Sequence, residues 1–167
     1  MMKENIRFFR KVSISSKNIN KQVILIFFSF FIVACSNHKA LSLSVYKGSC
    51  NNMATKTSFG QLIKDPEKFN NKFIELEGIY RWHPEESAIY KSYNTNDVSN
   101  AIWVEFNDTL LIEEHTGSRL LGSKKEFDKI INKRMKIQGR FSYENKGHLE
   151  QYSGSISNIC YLEVFKE

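Results

Sequence analysis

Apolar and polar residues alternate with period two over two stretches, 71–80 and 132–141, that read as copies of one another. Asn71-Lys72-Phe73-Ile74-Glu75-Leu76-Glu77-Gly78-Ile79-Tyr80 aligns with Asn132-Lys133-Arg134-Met135-Lys136-Ile137-Gln138-Gly139-Arg140-Phe141. In the first, Ile74, Leu76, Tyr80 and Trp82 share a face; in the second, Met135, Ile137, Phe141 and Tyr143 do. The positions between are mostly charged or polar, as in strands buried on one side. Gly78 and Gly139 interrupt the apolar face, and a glycine inside a strand marks a bulge or sharp bend. Two strongly bent strands are what a small closed barrel needs. Two further strands are predicted over 87–93, centred on Ala88, Ile89 and Tyr90, and over 101–106. In the latter Ile102, Val104 and Phe106 point inward, with Trp103 and Glu105 opposite. Residues 110–112 extend that strand after an Asn107-Asp108 turn, and the last strand covers 155–165. Helical spacing occurs twice. Phe59, Leu62 and Ile63 follow a cap at Thr57 or Ser58, with Asp65-Pro66-Glu67 ending or restarting the helix; Phe127, Ile130 and Ile131 lie on 124–131 behind Ser123. The pattern predicts a mostly β domain with two short helices, in the order helix, three strands, helix, two strands.

Upstream the pattern changes character. Residues 23–34 form an uncharged apolar run of twelve, behind a basic segment. A bilayer-spanning helix needs about twenty residues, so this is the arrangement of a secretory signal rather than a span. Residues 36–56, rich in Ser, Asn and Lys, read as a tether in which Leu41, Leu43 and Val45 alternate with Ser42 and Ser44 and leave room for a short edge strand. The expected organisation is a signal over 1–34, a flexible tether over 35–56 and a barrel domain over 57–167.

The 167 residues are 41% hydrophobic, 13% aromatic and 25% charged, with two prolines, which excludes a disordered tail or a fibre. A formal charge of +6 invites a nucleic-acid reading. Residues 1–34 hold six of the 24 Lys and Arg and one of the 18 Asp and Glu, leaving 18 cations against 17 anions, a net of +1. The basicity belongs to the leader, and the rest carries no electrostatic footprint for DNA or RNA.

At the end of the apolar run stands Ile32-Val33-Ala34-Cys35, then Ser36-Asn37. This resembles the lipobox of bacterial lipoproteins. The resemblance implies that the Cys35 thiol is acylated with diacylglycerol, that the leader is cleaved before it, and that the new amino terminus is acylated too. Several acyl chains give an anchoring that one chain cannot. Ser36 at the next position implies, by the same resemblance, export to the outer membrane, facing the periplasm, in a Gram-negative host. With Cys35 assigned to lipid, Cys50 and Cys160 remain as an even pair in an oxidising compartment. They form either a disulfide pinning the tether to the last strand or two free thiols.

The order of elements resembles the OB-fold, a five-stranded Greek-key barrel with a helix between strands three and four. The resemblance covers about 110 residues. A closer similarity is to small bacterial envelope proteins with OB-like domains. It is carried by Pro66-Glu67-Lys68-Phe69, Glu77-Gly78, Ala101-Ile102-Trp103, the run Asn145 to His148, and Tyr152-Ser153-Gly154. Where such relatives tend to have Gly, this chain has Glu150, which implies a different backbone there. The resemblance names a fold and a compartment and supplies no reaction.

The chemistry that the residues carry is sparse. No Gly-x-Ser-x-Gly elbow occurs, since Ile156 breaks the run after Gly154-Ser155. A Cys160–His148 pair lies twelve residues apart across a turn, and a periplasmic cysteine is more readily oxidised than nucleophilic. In Glu113-Glu114-His115 only Glu113 and His115 share a strand face, and His83 with Glu85 is a similar pair; zinc wants three or four convergent ligands. No phosphate-cradling glycine loop is present. The expectation is therefore no enzyme, no metal and no cofactor. OB-folds take ligands on the strand two and three face and its flanking loops. Here that face carries Tyr90, Tyr93 and Trp103, bordered by His148 and Tyr152, aromatics suited to sugar rings, peptide or bases, the last disfavoured by the near-neutral charge and the export signal. The expected role is a lipid-anchored binding module for an envelope protein, peptide or glycan; the alternative is an accessory lipoprotein with no ligand groove.

Overall fold

Two long strands, β3 (Phe73–His83) and β7 (Lys133–Ser142), pair antiparallel with each other and bend to reach different neighbours. The computed structural model describes residues 41–49, 53–106 and 109–166. Before β3 come β1 (Ser42–Lys47), β2 (Thr55–Lys56) and helix α1 (Phe59–Lys64). After it come β4 (Glu86–Tyr90), β5 (Ile102–Val104), β6 (Ile112–Glu113), helix α2 (Lys124–Asp128), β7 and β8 (Ser155–Phe165). The ring runs β3–β4–β5–β8–β7 and returns to β3, every pairing antiparallel except β5 with β8. The protein is mostly β with two short helices, and its five-stranded ring is a closed, OB-like barrel.

The duplicated pattern corresponds to a local two-fold. Leu76 pairs with Ile137, and each is the other's counterpart in the sequence alignment. Asn71 and Asn132 both adopt a left-handed backbone, at φ 58° and 56°. Each then donates its N–H across the pair: Asn71 to the Phe141 carbonyl at 2.8 Å, Asn132 to that of Tyr80 at 2.9 Å. Asparagine tolerates that conformation better than most residues, so the same residue swings the chain into both strands. Gly78 and Gly139 sit where the barrel turns. A Cβ on Gly78 would lie 2.4 Å from the Tyr90 carbonyl oxygen, and one on Gly139 2.7 Å from that of Ser157.

Inside the ring, Ile74, Leu76 and Tyr80 meet Met135, Ile137 and Phe141, with Ile102, Val104, Ile156 and Leu162. The inward sets anticipated on 71–80, 101–106 and 132–141 are buried, while Trp82 emerges at the end of its strand, 44% exposed. α1 begins with a capping box, Ser58 and Gln61 each satisfying the other's backbone. α2 closes one end of the barrel. Its Phe127 ring meets Tyr80, Trp82 and Phe106 edge-on, at 6.3, 5.7 and 5.9 Å.

Four expectations change. The strand expected over 87–93 is Glu86–Tyr90, because Arg81 bonds to Tyr93 and Asn96 and holds the following residues in a loop. The helix expected over 124–131 spans Lys124–Asp128. Residues 110–112 do not extend β5; Ile112 and Glu113 pair with β1. The tether expected over 35–56 contains β1, which pairs with β8 and places Tyr46 wholly in the core. The short strand anticipated there does form, but between β8 and β6 instead of at an edge. Ser44 and Tyr46 point inward, whereas Leu41 and Leu43 are 66% and 54% exposed. Cys160 lies on β8 and is disulfide-bonded. It is the one cysteine among the described residues, so its partner lies outside them, as do Cys35, Cys50 and the whole of 1–40.

Candidate functional site

A cleft of about 520 Å³ opens where the β3–β4 hairpin, the β4–β5 connection and the β7–β8 connection meet. Arg81 and His83 reach it from β3, on the side of the strand opposite Tyr80 and Trp82. Glu86 and Tyr90 come from β4, and His148 and Tyr152 from the last connection. Of the residues singled out in the sequence, Tyr90, His148 and Tyr152 are thus brought together.

Tyr90 is nearly inaccessible. It packs with Ala88, Ala101 and Tyr152 in a second apolar cluster outside the barrel, beneath the short turn Val98–Asn100. The expected open aromatic face on β4 and β5 is therefore largely covered by the chain's own loops, with the small Ala88 of β4 and Ala101, just before β5, in the covered cluster. The Arg81 guanidinium lies 4.4 Å above the Tyr90 ring. It also donates to the Asn96 side chain at 3.1 Å and the Tyr93 carbonyl at 2.5 Å. Its stacking and its two donors fix the β4–β5 loop as the cleft's wall. Tyr93 contributes through that carbonyl, its ring standing 48% exposed outside the cleft.

Burial pushes the Tyr90 phenol well above its ordinary range, and the Glu86 carboxylate beside it adds to the rise. Tyr152 is raised for the same first reason, with Glu86 again contributing and the Tyr90 hydroxyl opposing. Both phenols stay protonated at neutral pH and serve as hydrogen-bonding groups, not as phenolate bases or nucleophiles. His83 Nε2 stands 3.8 Å from a Glu86 carboxylate oxygen at the hairpin rim.

The β7–β8 connection is held firmly to β5. Trp103 donates to the Gly154 carbonyl at 2.9 Å, and Ser153 to that of Ala101 at 3.1 Å. Asn145 donates its amide to Glu105 at 2.8 Å and accepts from Gly147 at 3.1 Å. Gly147, at φ 66° and ψ −152°, lies against Trp103, where a Cβ would sit 2.4 Å from the indole. Leu149 and Glu150 follow in the left-handed region, at φ 54° and 57°. Glu150 thus holds a left-handed backbone that a glycine takes freely. Strained non-glycine residues in succession, at the mouth of a cleft, are a feature of functional loops.

Trp103 lies half-buried in another place, its ring 5.1 Å from that of Tyr152. It lines a smaller cleft of about 260 Å³ with Trp82, Phe127 and Leu121. Trp103 thus lines the smaller cleft and its ring partner Tyr152 the larger one. Sequence reasoning missed Arg81 and Glu86. The available signal was the polar parity of β3, since Arg81 and His83 alternate with Tyr80 and Trp82.

Glu113 and His115 do not form a ligand pair. The buried Glu113 carboxylate accepts from the backbone N–H groups of His115 at 3.0 Å and Thr116 at 2.6 Å, closing its own turn. Among the described residues no group of three His, Cys, Asp or Glu converges, and no helix is long and apolar enough to cross a membrane. Compared with known proteins, the chain matches no protein family, no curated protein and no solved structure. The fold and the cleft define it as an OB-like barrel with a polar cleft at its loops.

Proposed function

We propose that this is a lipid-anchored envelope protein whose barrel is a non-enzymatic binding module, taking an envelope protein, peptide or glycan at the cleft between the β3–β4 hairpin and the β7–β8 connection. The observation that carries the reading is the meeting of Arg81, Glu86, Tyr90, His148 and Tyr152 around one opening. It lies at loops corresponding to those with which OB-folds take their ligands. The mixture of one cation, carboxylates, imidazoles and neutral phenols suits a ligand recognised by hydrogen bonds, without strong net charge. Nucleic acid is disfavoured by the near-neutral chain beyond the leader. Anchoring rests on the lipobox resemblance at Cys35, with the membrane reached through its acyl chains.

The covering of Tyr90 and Ala88 by the chain's own loops favours the alternative, an accessory lipoprotein acting by its position in a larger complex. A photo-crosslinker placed in cells at His148, with Lys124 on α2 as control, separates them. A discrete adduct at 148 and none at 124 supports the cleft. Equal labelling, or none at 148, overturns it. Replacing Cys35 by Ser tests the anchor: the variant should accumulate as an uncleaved, unacylated precursor, and normal processing would refute the lipobox reading.

A further inference from the structure

Strand β1 wears its apolar residues on the outside. Its inward positions are Ser44 and Tyr46, both buried. Outward stand Leu43 and the half-buried Val45, with Leu41 exposed at the start of the strand. Across the β1–β6 pair, Ile112 sits opposite Lys47 and is 39% exposed; Glu163, ion-paired with Lys136, lies opposite Val45, and Lys47 pairs with Glu114, so the apolar strip is bordered by two ion pairs. A shift of one residue in the β1–β8 register would turn Val45 inward and expel Tyr46, while a bulge between Ser42 and Ser44 sets Leu43 out of the ladder. The pairing of Tyr46 with Leu162 and Lys47 with Tyr161 fixes the opposite outcome. Exposed apolar residues grouped on one face mark a surface that meets a protein or a membrane.

The chain itself indicates which. Leu41 follows Cys35 by six residues, a span of at most about 20 Å when extended. The strip therefore lies within one short tether of the acyl chains. Lys166 donates its backbone N–H to the Leu41 carbonyl and brings an exposed cation beside the strip, suited to phospholipid headgroups. Resting on the reading of Cys35 as the anchor, we propose that the outer face of β1 lies on the phospholipid surface and sets the orientation of the domain. Ser42 pairs with Phe165 at the last residue of β8, whereas Tyr152 just precedes the first, Ser155. The strip and the cleft thus lie towards opposite ends of a strand with a contour of about 35 Å. The β1 face meets the bilayer, and the cleft stands apart from it along β8.

The test places the photo-crosslinking residue benzoylphenylalanine at position 43 or at position 148 of the full chain. After irradiation of intact cells, the adducts are read by mass spectrometry of the membrane fraction. A phospholipid adduct at 43 and none at 148 is expected. Absence of lipid at 43, lipid at both positions, or a protein adduct at 43 overturns the orientation; a protein adduct would assign the strip to a partner or a second copy. The amino-terminal peptide of the same digest reports acylation of Cys35. A protein lacking that acylation loses the anchor reading, and this proposal with it, whereas an acylated protein without a lipid adduct at 43 loses this proposal alone.

Discussion

Replacing Gly78 by Ala adds one methyl group at the tightest point of the barrel. The new Cβ would lie 2.4 Å from the Tyr90 carbonyl oxygen, 2.8 Å from Ile89 Cγ1 and 3.0 Å from Phe59 Cε2. The aromatic carbon can swing aside. The carbonyl cannot, because Tyr90 is the register partner of Ile79 in the β3–β4 ladder. Relief therefore requires opening that pairing at the point where β3 leaves β7 for β4. Overpacking a core typically costs about 1–3 kcal/mol, and loss of a backbone hydrogen bond adds roughly 0.5–1.5. Against this, restricting the unfolded chain returns about 0.4–1. The expected net is a loss of about 2–3 kcal/mol, and more than about 3 for Val, beyond the ordinary range for a point mutation. Gly60 supplies the control, since a Cβ there meets nothing within 4 Å. It lies in α1, where Gly to Ala should stabilise by roughly 0.5–1 kcal/mol. Urea unfolding of the oxidised protein, followed by circular dichroism, gives both midpoints, with the slope checked for constancy. A Gly78→Ala protein within about 0.5 kcal/mol of the parent would refute the reasoning and argue for a flatter, open sheet.

Further outcomes test other parts of the structure. Glu150→Gly should raise stability by roughly 0.5–1 kcal/mol, because relief of the left-handed strain outweighs the extra freedom glycine gives the unfolded chain; a lowered or unchanged urea midpoint would show that the loop carries no such strain. Gly147→Ala should shift the Trp103 emission in a Trp82→Phe background, since its Cβ would strike the indole; an unaltered spectrum would count against this packing. Burial pushes the Glu113 carboxyl up, but the donors from Thr116 and His115 outweigh it and hold it below the usual 4.5. Its stabilisation is therefore present above the unfolded value and lost as pH falls through the folded one. Glu113→Gln should flatten the acid limb of stability below about pH 4.5, and an identical acid limb would exclude that carboxylate as its source. Reduction should lower stability by about 2–5 kcal/mol through loss of the Cys160 disulfide. Non-reducing peptide mapping should join Cys160 to Cys50, and a Cys35–Cys160 peptide would contradict both this pairing and lipidation.

The sequence by itself carried the order of the barrel's own strands and two helices, the inward faces of β3, β5 and β7, and the positions of the two bends. Those properties are local: a period of two, a cap before an apolar run, a glycine inside an apolar face. It also carried the candidate anchor at Cys35, because a lipobox is read along the chain rather than in space. Tertiary structure decided what depends on residues distant in sequence. Whether β1 turned Val45 or Tyr46 inward was set by its register against β8, since one residue of slip exchanges the two faces. Whether Tyr90 lined an open groove was decided by Val98 and Tyr152, which pack with it from two other connections. Arg81 became part of the cleft for the same reason, its charge held against the Tyr90 ring and the β4–β5 loop. Periodicity reports which side of a strand is buried against the core, and it carries no information about which loop will return to cover the other side.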